Sequence, residues 1–175
     1  MEARRIAVVG NSGSGKTSLG RRLADRLELP YVELDAIYHQ PGWEPLERDE
    51  FRRRVAAVAA RDGWVIDGNY SAANEPIWER AQAIVWLDLP RATVMRRVIA
   101  RTLRRVLTRE ELWNDNREPW SNLYRWDPEQ NIIRWAWVRH PVVRERYTRA
   151  MRDRPDLEWV RLRSPDEVEA FLAEL

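Results

Sequence analysis

The sequence has no cysteine and only two histidines, His39 and His140, among its 175 residues. The first absence excludes disulfides, thiolate metal sites and a cysteine nucleophile, and two imidazoles are too few for a histidine-rich metal site. Long apolar runs are missing as well: nothing approaches the ~20 residues that cross a bilayer. The opening "MEARRIAVVG" carries too short an apolar run, before a polar glycine loop, to be a signal peptide. A cytoplasmic protein with no membrane partner is therefore expected. An excess of one charge is also lacking. Thirty Lys plus Arg face 28 Asp plus Glu, a net of +2, whereas nucleic-acid binders concentrate a basic footprint. Lysine itself is almost absent: Lys16 is the only one, and the other basic side chains are all arginine. Glycine is scarce too, yet three of the seven lie beside that lysine in "VVGNSGSGKT", residues 8–17.

What is present suits a single domain spanning residues 1–175, since 44% of the residues are hydrophobic and domains cluster near this length. Residues 6–9 form an unbroken apolar run, mostly β-branched, ending in glycine, the pattern of a buried parallel strand. In Lys16–Leu27 the leucines 19, 23 and 27 share one helical face. Further strands are expected at 30–34, 64–67, 83–90 and 157–162. Helices are expected at 47–61, 91–107 and 131–152, the last interrupted or capped near Pro141. Ser164, Pro165 and Glu167 announce a final capped helix. Strands alternating with helices predict an α/β protein of three layers, α/β/α, around a parallel sheet. The rhythm breaks at residues 108–130, rich in Trp and Pro, and a lid-like insert is expected over about 101–134. Most of the ten tryptophans are expected in the core.

Gly10-Asn11-Ser12-Gly13-Ser14-Gly15-Lys16-Thr17 matches GxxxxGK(S/T) in full, between a hydrophobic strand and an amphipathic helix that continues with Ser18. The glycines let successive N–H groups point inward at an anion, and the helix N-terminus adds positive partial charge. Lys16 would bring a compact ammonium to the β- and γ-phosphates, and Thr17 would ligate Mg²⁺. A dinucleotide fingerprint fails at Ser18, where glycine or alanine is required. The cation also needs a carboxylate, and two strand ends offer one: Asp67 in "WVIDGNY" and Asp88 in "IVWLDLP". By pattern alone Asp88 is the better candidate, with four apolar residues before it.

"WVIDGNY" followed by "AIVWLDLPRATVMRRVIAR" is similar to the adenylate-kinase-like P-loop kinases. Together with "GNSGSGKTSLGRRLA", "VELDAIYHQPGW" and "RLRSPDEVEAFL", it resembles more closely the small kinases known as DNA topology modulation proteins. The resemblance covers most of the chain. It implies a P-loop NTPase with a five-stranded parallel sheet in the order 2-3-1-4-5, ATP as donor, and Asp67 as the carboxylate that serves the metal. Arg97 and Arg101 then fall on the hinge arginines at the lid base, toward adenine and phosphates. Nucleoside monophosphate kinases follow the "DG" with F-P-R, which grips an acceptor phosphate; this chain has Asn69-Tyr70-Ser71 instead.

Phosphoryl transfer needs positioning and cations around a spread negative charge. Residues 89–109 hold seven arginines and no acid, and Arg97, Arg101, Arg104 and Arg105 fall near one helical face. Arg97, Arg101 and Arg105 are expected to act with Lys16 in a lid over ATP, with Arg117 a weaker candidate. Asp35, expected at the end of strand two, would orient an acceptor hydroxyl or take its proton, or, with another kind of acceptor, hold a metal-bound water. His39, Trp43 and Tyr70 would line the same pocket. The reading is an ATP- and Mg²⁺-dependent phosphotransferase acting on a nucleotide, nucleoside or other small metabolite, as a monomer or homodimer. The alternatives are an ATP-binding regulator associated with nucleic acid and a simple ATPase.

Overall fold

The computed structural model describes residues 3–175. Five strands, β1 (Arg5–Gly10), β2 (Tyr31–Glu33), β3 (Trp64–Asp67), β4 (Ala83–Leu87) and β5 (Glu158–Leu162), form one parallel sheet in the order β2-β3-β1-β4-β5. Both the α/β class and the 2-3-1-4-5 order expected from the sequence are observed. The register pairs Val8 with Asp67 on one side and with Val85 on the other.

The short apolar runs become central strands because both of their faces are covered. Alternate residues serve opposite layers: Ala7, Val9, Ile66, Ile84 and Trp86 join one core, while Ile6, Val8, Val65 and Val85 join the other. The first core packs against Phe51 and Val55 of α3 (Arg48–Ala59) and Tyr147 of α7 (Ile132–Asp153). The second packs against Leu19 and Leu23 of α1 (Lys16–Leu27) and Leu172 of α8 (Pro165–Ala173). Each of these aliphatic side chains contributes about 1.5–3 kcal/mol by leaving water.

Four elements bear on the expectations. α2 (Leu34–Tyr38) and α4 (Ser71–Trp78) were not foreseen as helices. Pro76 reads as a breaker, but the carbonyl of Ala72, which a proline four residues later cannot reach as donor, accepts from Arg52 NH1 at 3.3 Å. α5 (Arg91–Thr108) runs past residue 101, where the insert was expected to begin, and ends at Arg109 in the left-handed region. α7 is continuous through Pro141, so the interruption expected there does not occur. Its start is fixed by Asn131, whose side chain accepts from Ile133 and Arg134 N–H. Between α5 and α7 the chain has only short turns and α6 (Ser121–Tyr124).

The tryptophans correct another expectation. Only Trp64 and Trp86 are fully buried, whereas Trp120, Trp126, Trp135 and Trp137 are exposed. The segment from α6 into α7 lies outside the two sheet cores, and arginines cover its rings instead: Arg134 sits 3.7 Å over Trp126 and Arg91 4.4 Å over Trp137. Among the described residues, no helix is long and apolar enough to cross a membrane.

Candidate active site

The loop after β1 wraps back on itself, with Ser14 N–H donating to Asn11 O at 3.1 Å. Gly15 caps α1 with φ 100, a left-handed conformation that a side chain would strain. Lys16 Nζ donates to Asn11 O at 3.1 Å. Burial pushes the Lys16 pKa down, opposed by the carboxylates of Asp67 and Asp35. Asn11 is itself buried, and its amide donates to Ala136 O of α7 at 2.8 Å. Ser14 Oγ is buried without a hydrogen-bond partner. A glycine-rich loop that holds a desolvated ammonium and carries a buried, unpartnered hydroxyl fits a phosphate group.

Two carboxylates meet Thr17 where the strands end. Thr17 Oγ1 donates to Glu33 Oε1 at 3.1 Å. Its single proton is thereby committed, and the oxygen lone pairs stay free for a cation. Asp67, only 2% exposed, accepts from Tyr31 OH at 2.9 Å. Burial pushes its pKa up to about 6, with Lys16 pulling it down and Glu33 pushing it up. That phenol reaches Asp67 because Gly20 in α1 leaves room: a Cβ there would lie 2.8 Å from the Tyr31 ring. Among the described residues no cage of three His, Asp or Glu side chains exists. Magnesium in phosphate sites needs none, since one or two carboxylates and the substrate phosphates hold it. The oxygen set of Thr17, Glu33 and Asp67 fits such a cation.

Asp88 is differently placed. Its Oδ2 accepts from Arg161 at 2.6 Å and lies 3.4 Å from Arg144. Two guanidinium groups already neutralise it, so the stronger sequence pattern marks an ion pair.

Arginines of α5 close the other side. Arg97 NH1 donates to Ser14 O at 2.9 Å, and Arg101 NH2 lies 3.4 Å from Ser12 Oγ. Arg101 Nε and Arg105 Nε are both buried without hydrogen-bond partners. Burial and then the neighbouring Arg105 push the Arg101 pKa down, a cost that an anion would relieve. Arg105 lies near Glu110 and Glu118, at 3.9 and 3.8 Å, and 6.0 Å over Trp113. Arg104 is exposed and pairs with Glu110 at 3.0 Å, and Arg117 is exposed beside Glu111. A cleft of about 280 Å³ borders Ser14, Gly15, Ser18 and Arg97, with Leu87 and Pro165 as part of its apolar wall.

Across from the loop stand Asp35, His39 and Tyr70. Asp35 was expected at a strand end, but β2 stops at Glu33 and Asp35 lies in the first turn of α2. Tyr70 OH donates to Asp35 Oδ1 at 2.6 Å and lies 3.3 Å from His39 Nε2. The irregular segment after α5 docks here. Asn116 Oδ1 accepts from Trp43 N–H at 2.8 Å, its amide donates to Gln40 O at 2.9 Å, and Trp43 Nε1 donates to Arg117 O at 3.0 Å.

Sequence reasoning missed Glu33, Tyr31, Glu118 and Asn116. Glu33 had a usable signal: it precedes Leu34-Asp35 as an acid at the end of the same apolar run. Asn116 had none, because the partners that tie it to the acceptor side, Trp43 and Gln40, lie more than 70 residues away.

A phosphate-binding loop between the central strand and α1, in a 2-3-1-4-5 sheet with arginines of α5 folded over it, defines a P-loop kinase. The shikimate kinase family model matches residues 12–126, and the chain belongs to that family. It is 31% identical over 180 residues to a shikimate kinase of Nitrobacter winogradskyi, a match spanning 91% of this chain and 74% of that protein. A shikimate kinase of Symbiobacterium thermophilum is 35% identical over 115 residues, 57% of this chain and 66% of that protein. The chain thus spans just under two thirds of some of these relatives. Among solved structures, shikimate kinase from Acinetobacter baumannii in complex with shikimate gives a TM-score of 0.57 at 18% identity, covering 99% of this chain and 90% of that one. A gluconokinase from Sinorhizobium meliloti gives 0.51 at 20% identity, covering 98% and 92%. These two likenesses concern the fold. The finer resemblance to DNA topology modulation proteins finds no support in these matches.

Proposed function

We propose that the protein is an ATP- and Mg²⁺-dependent kinase of a small hydroxylated metabolite. The observation that carries this reading is the convergence of Lys16, Thr17, Asp67, Arg101 and Asp35 at one end of the sheet. The loop of residues 10–17 and Arg97 would bind the phosphates of ATP, and the cleft beside Pro165 its base. Thr17 and Asp67, with Glu33 behind the threonine, would hold the cation, which would supply charge neutralisation to the triphosphate. Arg101 and Arg105 would stabilise the transferring group.

The acceptor oxygen bonds to the γ-phosphorus as the bridging oxygen leaves with ADP, and the acceptor's proton passes to Asp35. Shikimate is the first acceptor to test, because it is the substrate in the names of the relatives. The nucleic-acid reading is not favoured: Arg97, Arg101 and Arg105 turn inward, and Arg104 is paired on the surface.

The purified protein should release ADP from Mg–ATP when shikimate is added, and a panel of neutral polyols, sugars and nucleosides would test other hydroxyl acceptors alongside it. ADP release that no hydroxyl compound raises above the acceptor-free rate would overturn the kinase reading in favour of a plain ATPase.

A further inference from the structure

Asp35 stands between opposing demands. Lys16 of α1 and Arg101 of α5 both lie within electrostatic reach of its carboxylate. An unrestrained carboxylate would be drawn toward either cation. A salt bridge of that kind would remove both the group that receives the acceptor and a group that binds phosphate.

Tyr70 opposes this collapse from the β3–α4 side. Its ring is wedged against Tyr38, with centroids 4.5 Å apart, and Phe51, at 5.2 Å. Its hydroxyl carries one proton, and two acceptors compete for it. Asp35 Oδ1 at 2.6 Å is charged and closer than His39 Nε2 at 3.3 Å, so the proton goes to the carboxylate. The imidazole must then present Nε2–H to the phenol oxygen. Nδ1 of His39 is buried with no partner, which suits the bare nitrogen of that tautomer better than a buried N–H. Burial also pushes the His39 pKa down, with Asp35 opposing, which keeps the ring neutral. The result is a chain of two donors, His39 to Tyr70 to Asp35, each polarising the next.

We propose that Tyr70, backed by His39, is a positioning residue that holds Asp35 away from Lys16 and Arg101, with Oδ1 occupied and Oδ2 turned to the acceptor hydroxyl. This rests on the reading of Asp35 as the acceptor's partner and extends it, because it assigns the phenol a role in keeping the ATP site open.

The test measures Mg–ATP affinity by equilibrium binding of a fluorescent ATP analogue and needs no acceptor. Tyr70→Phe frees Asp35 to pair with Lys16 or Arg101, so ATP should bind about five- to tenfold more weakly, the coupling expected within one hydrogen-bonded network. Asp35→Asn removes the competing anion and should bind ATP at least as tightly as the parent protein. The double variant should return to the Asp35→Asn value. A structural defect from the lost hydroxyl would persist in the double variant, and that result overturns the proposal, as does parental affinity in Tyr70→Phe.

His39→Gln, which keeps a donor near the phenol, should bind ATP like the parent, whereas His39→Ala should fall between the parent and Tyr70→Phe; equal affinities for the two would remove His39 from the chain. Failure of the underlying reading shows elsewhere. If Asp35→Asn retains full shikimate-dependent ADP release, Asp35 is not the acceptor's partner, whatever the ATP affinities show.

Discussion

Two strands flank β1, and each ends in a buried aspartate. Asp67 closes β3 and Asp88 follows β4, at 2% and 8% exposure. By sequence pattern Asp88 is the better suited of the two to serve a metal. In the fold their surroundings are opposite. Asp67 faces one ammonium, a phenol donor and a second carboxylate, and its pKa is pushed up to about 6 by burial. Asp88 is enclosed by Arg161 and Arg144. A carboxylate left short of positive charge is available to a cation, whereas one with two guanidinium partners already has its counterions. The apolar run before an aspartate reports that the residue lies at a strand end. It carries no information on which cations the rest of the chain brings there.

The largest effect should separate the two sites by function. Asp67→Asn is expected to lower Mg²⁺-dependent turnover by about a hundredfold or more, the scale for removing a group aimed at developing charge. Asp88→Asn should stay within about twofold per folded molecule; a ranking in the other direction in steady-state ADP release would reverse the assignment. The next effect should separate them by stability. Removing the charge of Asp88 leaves Arg161 partly buried and unpaired, and urea unfolding should show a loss of about 2 kcal/mol, discounted from a fully buried pair because Arg144 is largely exposed. Asp67→Asn should lose less, because ionising the raised carboxyl already costs the folded state energy.

The smallest effect concerns pH. A folded carboxyl with its pKa raised from 3.8 to about 6 keeps its proton longer than in the unfolded chain. The cation-free protein therefore loses stability from this group as pH rises through that window. The same proton competes with magnesium. Apparent Mg²⁺ affinity, followed by calorimetry, should climb about tenfold per unit up to pH 6 and then level off. The Asp67→Asn variant should show no such slope, and a parent protein with a flat profile would place the cation elsewhere.

How much of this could be read from the chain depends on how local each feature is. The loop of residues 10–17 and the helix after it follow from short-range pattern, whereas the strand order came from the family resemblance; Lys16–Leu27 is bounded as expected because Gly15 caps it and the leucine face lies within it. The capped start of α8 is equally local: Ser164 Oγ accepts from Glu167 N–H at 3.1 Å. The acceptor side is assembled from distance. Asp35 meets Tyr70 across 35 positions, and Asn116 meets Trp43 across 73. No periodicity encodes such a meeting. α4 was hidden by Pro76 because the compensating donor, Arg52, belongs to another helix. The exposed tryptophans were misjudged for a related reason: a ring is assigned to the core on its hydrophobicity, while Trp126, Trp135 and Trp137 each meet one arginine at the surface.

Gly20 shows how stability and function trade against each other in this fold. Inside a helix, glycine costs about 1 kcal/mol relative to alanine, so Gly20→Ala is a substitution that a search for greater thermal stability would select. Here the added methyl would collide with the Tyr31 ring, and the phenol would withdraw from Asp67. The carboxylate would lose its donor and its fixed direction at the same moment that the helix gained propensity. The weak point in α1 is thus the opening through which Tyr31 of β2 steers Asp67 of β3, and filling it would exchange helix propensity for an overpacked contact and a misdirected carboxylate.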